Sequence, residues 1–272
     1  MTPTESAAAK PPLITPTFVL AWVANFCQFL VFYLFVTTMA LYAVESFGAS
    51  DTVGGFASSA FVLGATCMRV FSGWIVDRVG HKKAALTSLA FVTVVAVAYF
   101  FAHNVAVLII VRMVHGAAYA LTSTALMAVA QSVIPHERRA EGTGYFALGT
   151  TLATAFGPAI GLLLANNIGY TTLFAVALGA NIVSLILALV LRYPAEVSSE
   201  KPAFSLRNAV HPNVVPIGSI HALSRHRLLR RGDLPQRLRP QGRPGHRRRA
   251  VLHWLCGHDA HHALLLGPYP GP

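Results

Sequence analysis

The sequence predicts an all-α integral membrane fold, six transmembrane helices followed by a disordered basic tail. Three observations predict it. Of 272 residues, 54% are hydrophobic and only 11% charged, whereas soluble domains carry about 25% charged residues. Six apolar segments lie at about 17–44, 52–76, 84–102, 105–133, 142–165 and 171–191, each near the ~20 residues that cross a bilayer. The connections also alternate in charge. Residues 45–51, 103–104 and 166–170 hold no Lys or Arg. By contrast Arg78, Lys82 and Lys83, then Arg138 and Arg139, then Arg192 follow segments two, four and six. Basic residues in short loops stay in the cytoplasm. Residues 1–16 and the end of the bundle at residue 192 are therefore expected inside, in a multi-pass protein of the cytoplasmic membrane. The polar residues 1–16 and the long apolar run after them do not read as a cleavable signal peptide.

Segment one carries Asn25 and Gln28 one turn apart in apolar sequence. Polar groups at that depth face a cavity or a partner helix, so both are candidates for a substrate cavity or for interhelical hydrogen bonding. Segment two leads into Gly73-Trp74-Ile75-Val76-Asp77-Arg78-Val79-Gly80-His81-Lys82-Lys83. An Asp-Arg pair at a membrane helix end is costly, so a specific interaction must favour it. Gly73 lets another backbone come close, and Gly80 permits a tight turn. Lys82 and Lys83 hold that turn on the cytoplasmic side. Arg69 lies two turns deeper than Asp77 on about the same face. Segments one, two, four and five hold no deep acid, which leaves Asp77 as the carboxylate with membrane-embedded character. Glu137 and Glu141 could complete a charge relay with Arg78 or form solvated surface pairs.

In segment four, Arg112, His115, Gly116 and Tyr119 recur at helical spacing on one face. An unpaired guanidinium in lipid costs about 2.5–3.5 kcal/mol, so Arg112 should face the interior. It serves there either in function or in packing and interhelical hydrogen bonds. His115 reads equally as a satisfied interior histidine or a proton carrier. In segment five, Gly149, Ala153, Gly157 and Gly161 form a small-residue stripe beside Pro158. Such a stripe lets helices touch closely, and proline bends a membrane helix where its backbone can be satisfied.

The run from Gly73 to Lys83 resembles the loop between helices two and three of the major facilitator superfamily of transporters. Arg112 with Gly116 looks like that superfamily's R-x-x-x-G motif, whose intramembrane arginine is associated with proton coupling. The run Gly157-Pro158-Ala159-Ile160-Gly161 resembles the G-P-x-x-G core of a motif of antiporter members. It departs from that motif at Leu162, where a second glycine is usual, and at Ala153, which replaces an upstream glycine. The resemblance covers about residues 15–217 and implies one six-helix half of a transporter, built of three-plus-three repeats. It implies proton-coupled secondary transport of a small molecule, in the export direction, with sugar or nutrient uptake as the alternative. By this resemblance Gly73, Asp77, Arg78, Gly80, Lys82 and Lys83 form a gating motif. Arg112, His115, Gly116, Arg69 and Glu137 serve proton coupling, and Asn25, Gln28 and Tyr119 line the substrate cavity. The implied partners are the substrate, protons, the lipid bilayer, and either a second half or a homodimer partner to complete the cavity.

After a polar linker at residues 193–213, an apolar start at residues 214–217 does not continue as a helix. Residues 218–272 hold ten Arg, seven His and two acids, and carry most of the chain's net charge of +11. A tail of this kind could bind anionic lipid or nucleic acid, or be disordered. It could also be the product of a shifted reading frame. We expect the last, because Arg and His codons read one base later encode largely apolar or small residues. Residues 263–272 read that way permit a second copy of the Arg69–Arg78 spacing. A membrane-anchored regulator gripping nucleic acid or lipid through the tail is a reading from another class; the tail lacks aromatic interleaving, and no nucleic-acid partner is expected. Cys27, Cys67 and Cys256 form no spaced pair, and the tail histidines lack carboxylate or thiolate partners. No metal, cofactor or enzymatic constellation is expected.

Overall fold

A computed structural model describes residues 11–193; the linker beyond Tyr193 and the basic tail lie outside the described residues. Six helices follow one another: α1 (Pro16–Phe47), α2 (Asp51–Val79), α3 (His81–Ala98, extended by a 3-10 turn through Phe101), α4 (Val105–Val133), α5 (Arg139–Asn167) and α6 (Tyr170–Val190). All six are long and apolar enough to cross a membrane. Several run past the apolar segments read from the sequence, because a helix satisfies its own backbone until something diverts the chain. Gly80 alone, at φ +95°, separates α2 from α3. Asp77 and Arg78 therefore occupy the last turn of α2, and Lys82 and Lys83 the first turn of α3 rather than a loop.

The other ends are set by local chemistry. Thr15 caps α1 by accepting from the Phe18 amide at 3.2 Å, with Pro16 at the first helical position. Gly48, at φ +62°, ends α1, its amide donating to Val44 and that of Ala49 to Ala43, the left-handed stop that glycine favours. Asn104 caps α4 through its side-chain oxygen on the Val107 amide at 2.9 Å. Asp51 opens α2, where a carboxylate suits the helix dipole.

Packing crosses between the two halves of the bundle. The most extensive contacts are α2 on α4 and α1 on α5, followed by α3 on α4 and α1 on α6. Exchanging α1, α2 and α3 for α4, α5 and α6 turns each pair into another of the four, as a three-plus-three repeat requires. Glycines allow the closest crossings. A Cβ on Gly116 would overlap the Phe61 carbonyl of α2, and one on Gly64 would overlap the Met113 carbonyl of α4. On the related crossing, a Cβ on Gly161 would meet the Leu34 carbonyl at 2.6 Å, and one on Gly157 the Tyr33 Cβ at 2.5 Å.

The end of the bundle bearing the basic residues is closed by a short strap. Leu13, before α1, is buried with Phe18, Val129, Ile134, Phe146 and Leu191. An Arg138 Nη1 donates to the Pro11 carbonyl at 2.9 Å, and Thr17 donates to the Arg192 carbonyl at 3.3 Å. The Tyr193 hydroxyl donates to the Ala188 carbonyl at 3.1 Å, and burial pushes its pKa up to about 12.

Candidate functional site

The centre of the bundle is built around α4. Arg112 is wholly buried, the largest side chain in the interior to be so. Its Nε donates to the Ala57 carbonyl at 3.3 Å and its Nη2 to the Ser58 carbonyl at 2.7 Å, both on α2. Those carbonyls are within reach because the glycine crossing draws α2 onto α4. The guanidinium carbon lies 4.9 Å from the Phe61 ring centroid and 6.0 Å from that of Phe35, distances at which cation–π attraction operates. Its Nη1 has no hydrogen-bond partner among the described residues. One turn on, His115 is buried, and its Nδ1 shares a 2.9 Å hydrogen bond with the Tyr99 hydroxyl. Phe35 and Phe61 pack edge-on against the imidazole. The structure thus brings together Arg112, His115 and Gly116 as one face, and adds Tyr99, Phe35 and Phe61 to them. No acid shares this interior: Glu45 and Asp51 lie at one end of the described bundle, and Asp77, Glu137 and Glu141 at the other.

Tyr119, the next residue on that face of α4, is buried in an aromatic wall that shares Phe61 with this node. Its ring stacks on Phe32 at 5.8 Å and meets Phe29 edge-on at 5.6 Å, both from α1, and Phe61 at 5.2 Å. Arg69 lies one turn beyond Ala65, which is in the same cluster. It interacts electrostatically with Tyr119 and is itself exposed; its carbonyl accepts from the Ser72 hydroxyl at 3.0 Å, and its guanidinium makes no hydrogen bond or ion pair among the described residues. Ten residues separate it from the end of α2, about 15 Å along the helix axis at 1.5 Å per residue. A guanidinium inside a membrane span is costly to expose to hydrocarbon.

Asn25 and Gln28 are both buried, and Gln28 faces α6. Gln28 Nε2 donates to Asn181 Oδ1 of α6 at 2.9 Å, and Ser184 of α6 donates to the Ala24 carbonyl at 3.0 Å. Gln28 therefore ties two helices together. Asn181 and Ser184 were legible by the same signal as Asn25 and Gln28, polar residues a turn apart in an apolar helix.

The run from Gly73 to Lys83 lies open on the basic end. Gly73 is exposed, with no described atom within 4 Å of where a Cβ would stand. Asp77 is exposed and makes no ion pair among the described residues; Arg78 covers the Trp74 ring at 5.5 Å. Lys82 lies over the Tyr193 ring at 5.9 Å. Arg138 grips Glu141 through two hydrogen bonds of 2.7 and 2.9 Å, and Glu137 is exposed without an ion pair among the described residues. Arg78, Glu137 and Glu141 are not brought together. On α5, Gly149, Ala153, Gly157 and Gly161 are all buried against α1, around Trp22, Tyr33 and Leu34, with Pro158 inside the helix. Among the described residues no three His, Cys, Asp or Glu side chains gather as metal ligands.

Comparison with known proteins agrees with this architecture. The chain is 31% identical over 133 residues to the staphylopine export protein of Staphylococcus aureus, covering 48% of this chain and 32% of that one. It is 29% identical over 161 residues to the multi-drug resistance efflux pump PmrA of Streptococcus pneumoniae, covering 57% and 39%. The chain thus spans less than two-fifths of the length of these relatives. Among solved structures, a peptide transporter POT in complex with sulfate superposes with a TM-score of 0.60 at 13% identity, over 82% of this chain and 47% of the other, a likeness of fold alone. The model of the Major Facilitator Superfamily matches residues 21–252. With six apolar helices in crossed three-helix repeats, the chain is a multi-pass membrane protein that belongs to the major facilitator superfamily.

Proposed function

We propose that this bundle forms one half of a proton-coupled exporter of small molecules in the cytoplasmic membrane, with its basic end inside. The observation that carries the reading is Arg112, a fixed cation sealed in the interior with no carboxylate beside it. Such a charge is costly to hold and is retained where a mechanism uses it. In this reading Arg112, His115 and Tyr99 form a polar node that biases the helix α2–α4 crossing as protons arrive, and Arg69 and Glu137 belong to the same proton path. Substrate binds near the midplane on the face bearing Tyr119, against a second six-helix bundle supplied by a second half or by another copy. The two bundles rock about that site. The open face at Gly73 and the exposed Asp77 and Arg78, with Gly80, Lys82 and Lys83 setting the turn, are where the bundles meet on the inner side. The α5 stripe keeps α1 and α5 together as one rigid body. The export names of the relatives support this direction over sugar or nutrient uptake.

Proteoliposomes with an imposed pH gradient test it. Accumulation of ethidium or 2-naphthoate should follow the gradient and collapse with a protonophore. Transport insensitive to the gradient, or equal in an Arg112→Met variant, would refute the assignment.

A further inference from the structure

We propose that the substrate class of this bundle is an aromatic anion, seated on the wall formed by Phe29, Phe32, Tyr33 and Tyr119 with its charge toward Arg69. The inference deepens the transporter reading and rests on it. Phe29, Phe32 and Tyr33 are half-buried on α1, and their rings form a continuous surface with Tyr119: Phe32 meets Tyr33 at 4.8 Å and stacks with Tyr119 at an interplanar angle of 21°. Flat aromatic faces of this kind favour offset-stacked and edge-on rings. Such a wall by itself could equally hold a cation. The charges decide between the two. Arg69, one turn from the wall and without an ion pair among the described residues, presents a positive charge within a helix long and apolar enough to cross a membrane. Arg112 supplies a second cation behind the wall, over Phe61. No acid lies at this depth among the described residues. In a low-dielectric site such charges act strongly, so a cationic ligand is repelled while an anion is drawn in and held. The Tyr119 and Tyr33 hydroxyls, both carried by this wall, offer donors to a carboxylate or sulfonate.

Binding by the full chain in lipid nanodiscs, read by titration calorimetry, tests the assignment. The probes are 2-naphthoate, its cationic counterpart 2-naphthylmethylammonium, and octanoate as an anion without a ring. Naphthoate should bind about tenfold or more tightly than either comparison. Arg69→Gln should weaken it by about tenfold, equivalent to about 1.4 kcal/mol, whereas Arg69→Lys should retain most of the affinity. Phe32→Leu, which removes a ring and no donor, should weaken naphthoate by a larger factor than octanoate. Size-exclusion profiles matching the unsubstituted chain exclude misfolding in these variants. Equal binding of the cation and the anion, or an Arg69→Gln variant that binds as the original does, would overturn the proposal. Because binding is read without transport, naphthoate binding in a protein that moves nothing leaves this inference standing and removes the exporter reading. Gradient-driven export of ethidium without naphthoate binding does the reverse.

Discussion

Replacing Arg112 by methionine separates a functional charge from a structural one. The guanidinium's two hydrogen bonds to carbonyls contribute about 1.5–3 kcal/mol each, as bonds involving a charged group do. Its place between Phe35 and Phe61 adds about 2 kcal/mol for a desolvated cation over aromatic rings. Against this stands the burial of an ion with no counter-charge, an effective penalty of several kcal/mol. The opposing terms nearly cancel. Methionine fills most of the stem's volume, and the Ala57 and Ser58 carbonyls keep their positions in α2, so Arg112→Met should change unfolding stability by no more than about 2 kcal/mol. Arg112→Ala leaves the volume empty and should cost about 2–5 kcal/mol. Thermal unfolding in detergent, followed by the exposure of Cys27, which is buried in α1, measures both. Both variants should lose gradient-driven transport. A methionine variant as destabilised as the alanine one would make Arg112 a structural clamp, and the functional argument would fall.

Four further outcomes follow from the geometry. Gly161→Leu should force α1 from α5 and cost about 3 kcal/mol or more, since a Cβ alone meets the Leu34 carbonyl at 2.6 Å; reduced recovery of folded protein after heating checks it. Leu13→Ala should cost about 2 kcal/mol and speed proteolysis ahead of Pro16, because Leu13 anchors the strap in the Phe18 and Ile134 cluster; an unchanged cleavage rate contradicts this. Tyr193 ionises more readily unfolded than folded, so its share of stability is complete below about pH 10 and lost as pH rises toward about 12. A Tyr193→Phe variant should unfold with less dependence on alkaline pH. Cysteines placed at Lys82 or Lys83 should react with impermeant maleimide only in inverted vesicles; labelling from outside intact cells would reverse the proposed orientation.

The helices and their order were legible because lipid imposes a crude rule, long apolar runs interrupted by charge, which the six segments obey. Their ends were less legible. Apolarity stops where the hydrocarbon stops, but α2 continues to Val79 and α3 resumes at His81, with one glycine doing the turning. The buried face of α4 could be read from Arg112, His115, Gly116 and Tyr119, since their spacing matches the helical period. That their partners differ could not. Arg112 and His115 join Tyr99 from the far end of α3, whereas Tyr119 joins aromatics of α1, and periodicity within one helix carries no record of its neighbours. The same blindness hid the Gln28–Asn181 bond, whose members are separated by 153 residues. The glycine stripe of α5 was visible because four small residues repeat. Its counterpart, Gly64 against Met113 and Gly116 against Phe61, is split across two helices and shows no repeat in either.

The interleaved pairing of the bundle sets the order in which it can be made. As the chain enters the membrane from its N-terminus, α1 arrives before both of its main supports, α5 and α6, exist. Until then Gln28 has no amide to meet, and the surface that later covers Leu34 must be occupied by lipid or by the insertion machinery. The first three helices are thus committed to the bilayer without being assembled, and completion waits for the last helix. Cutting the chain between α3 and α4 should for the same reason yield two pieces that are each unstable alone yet able to complement one another when made together.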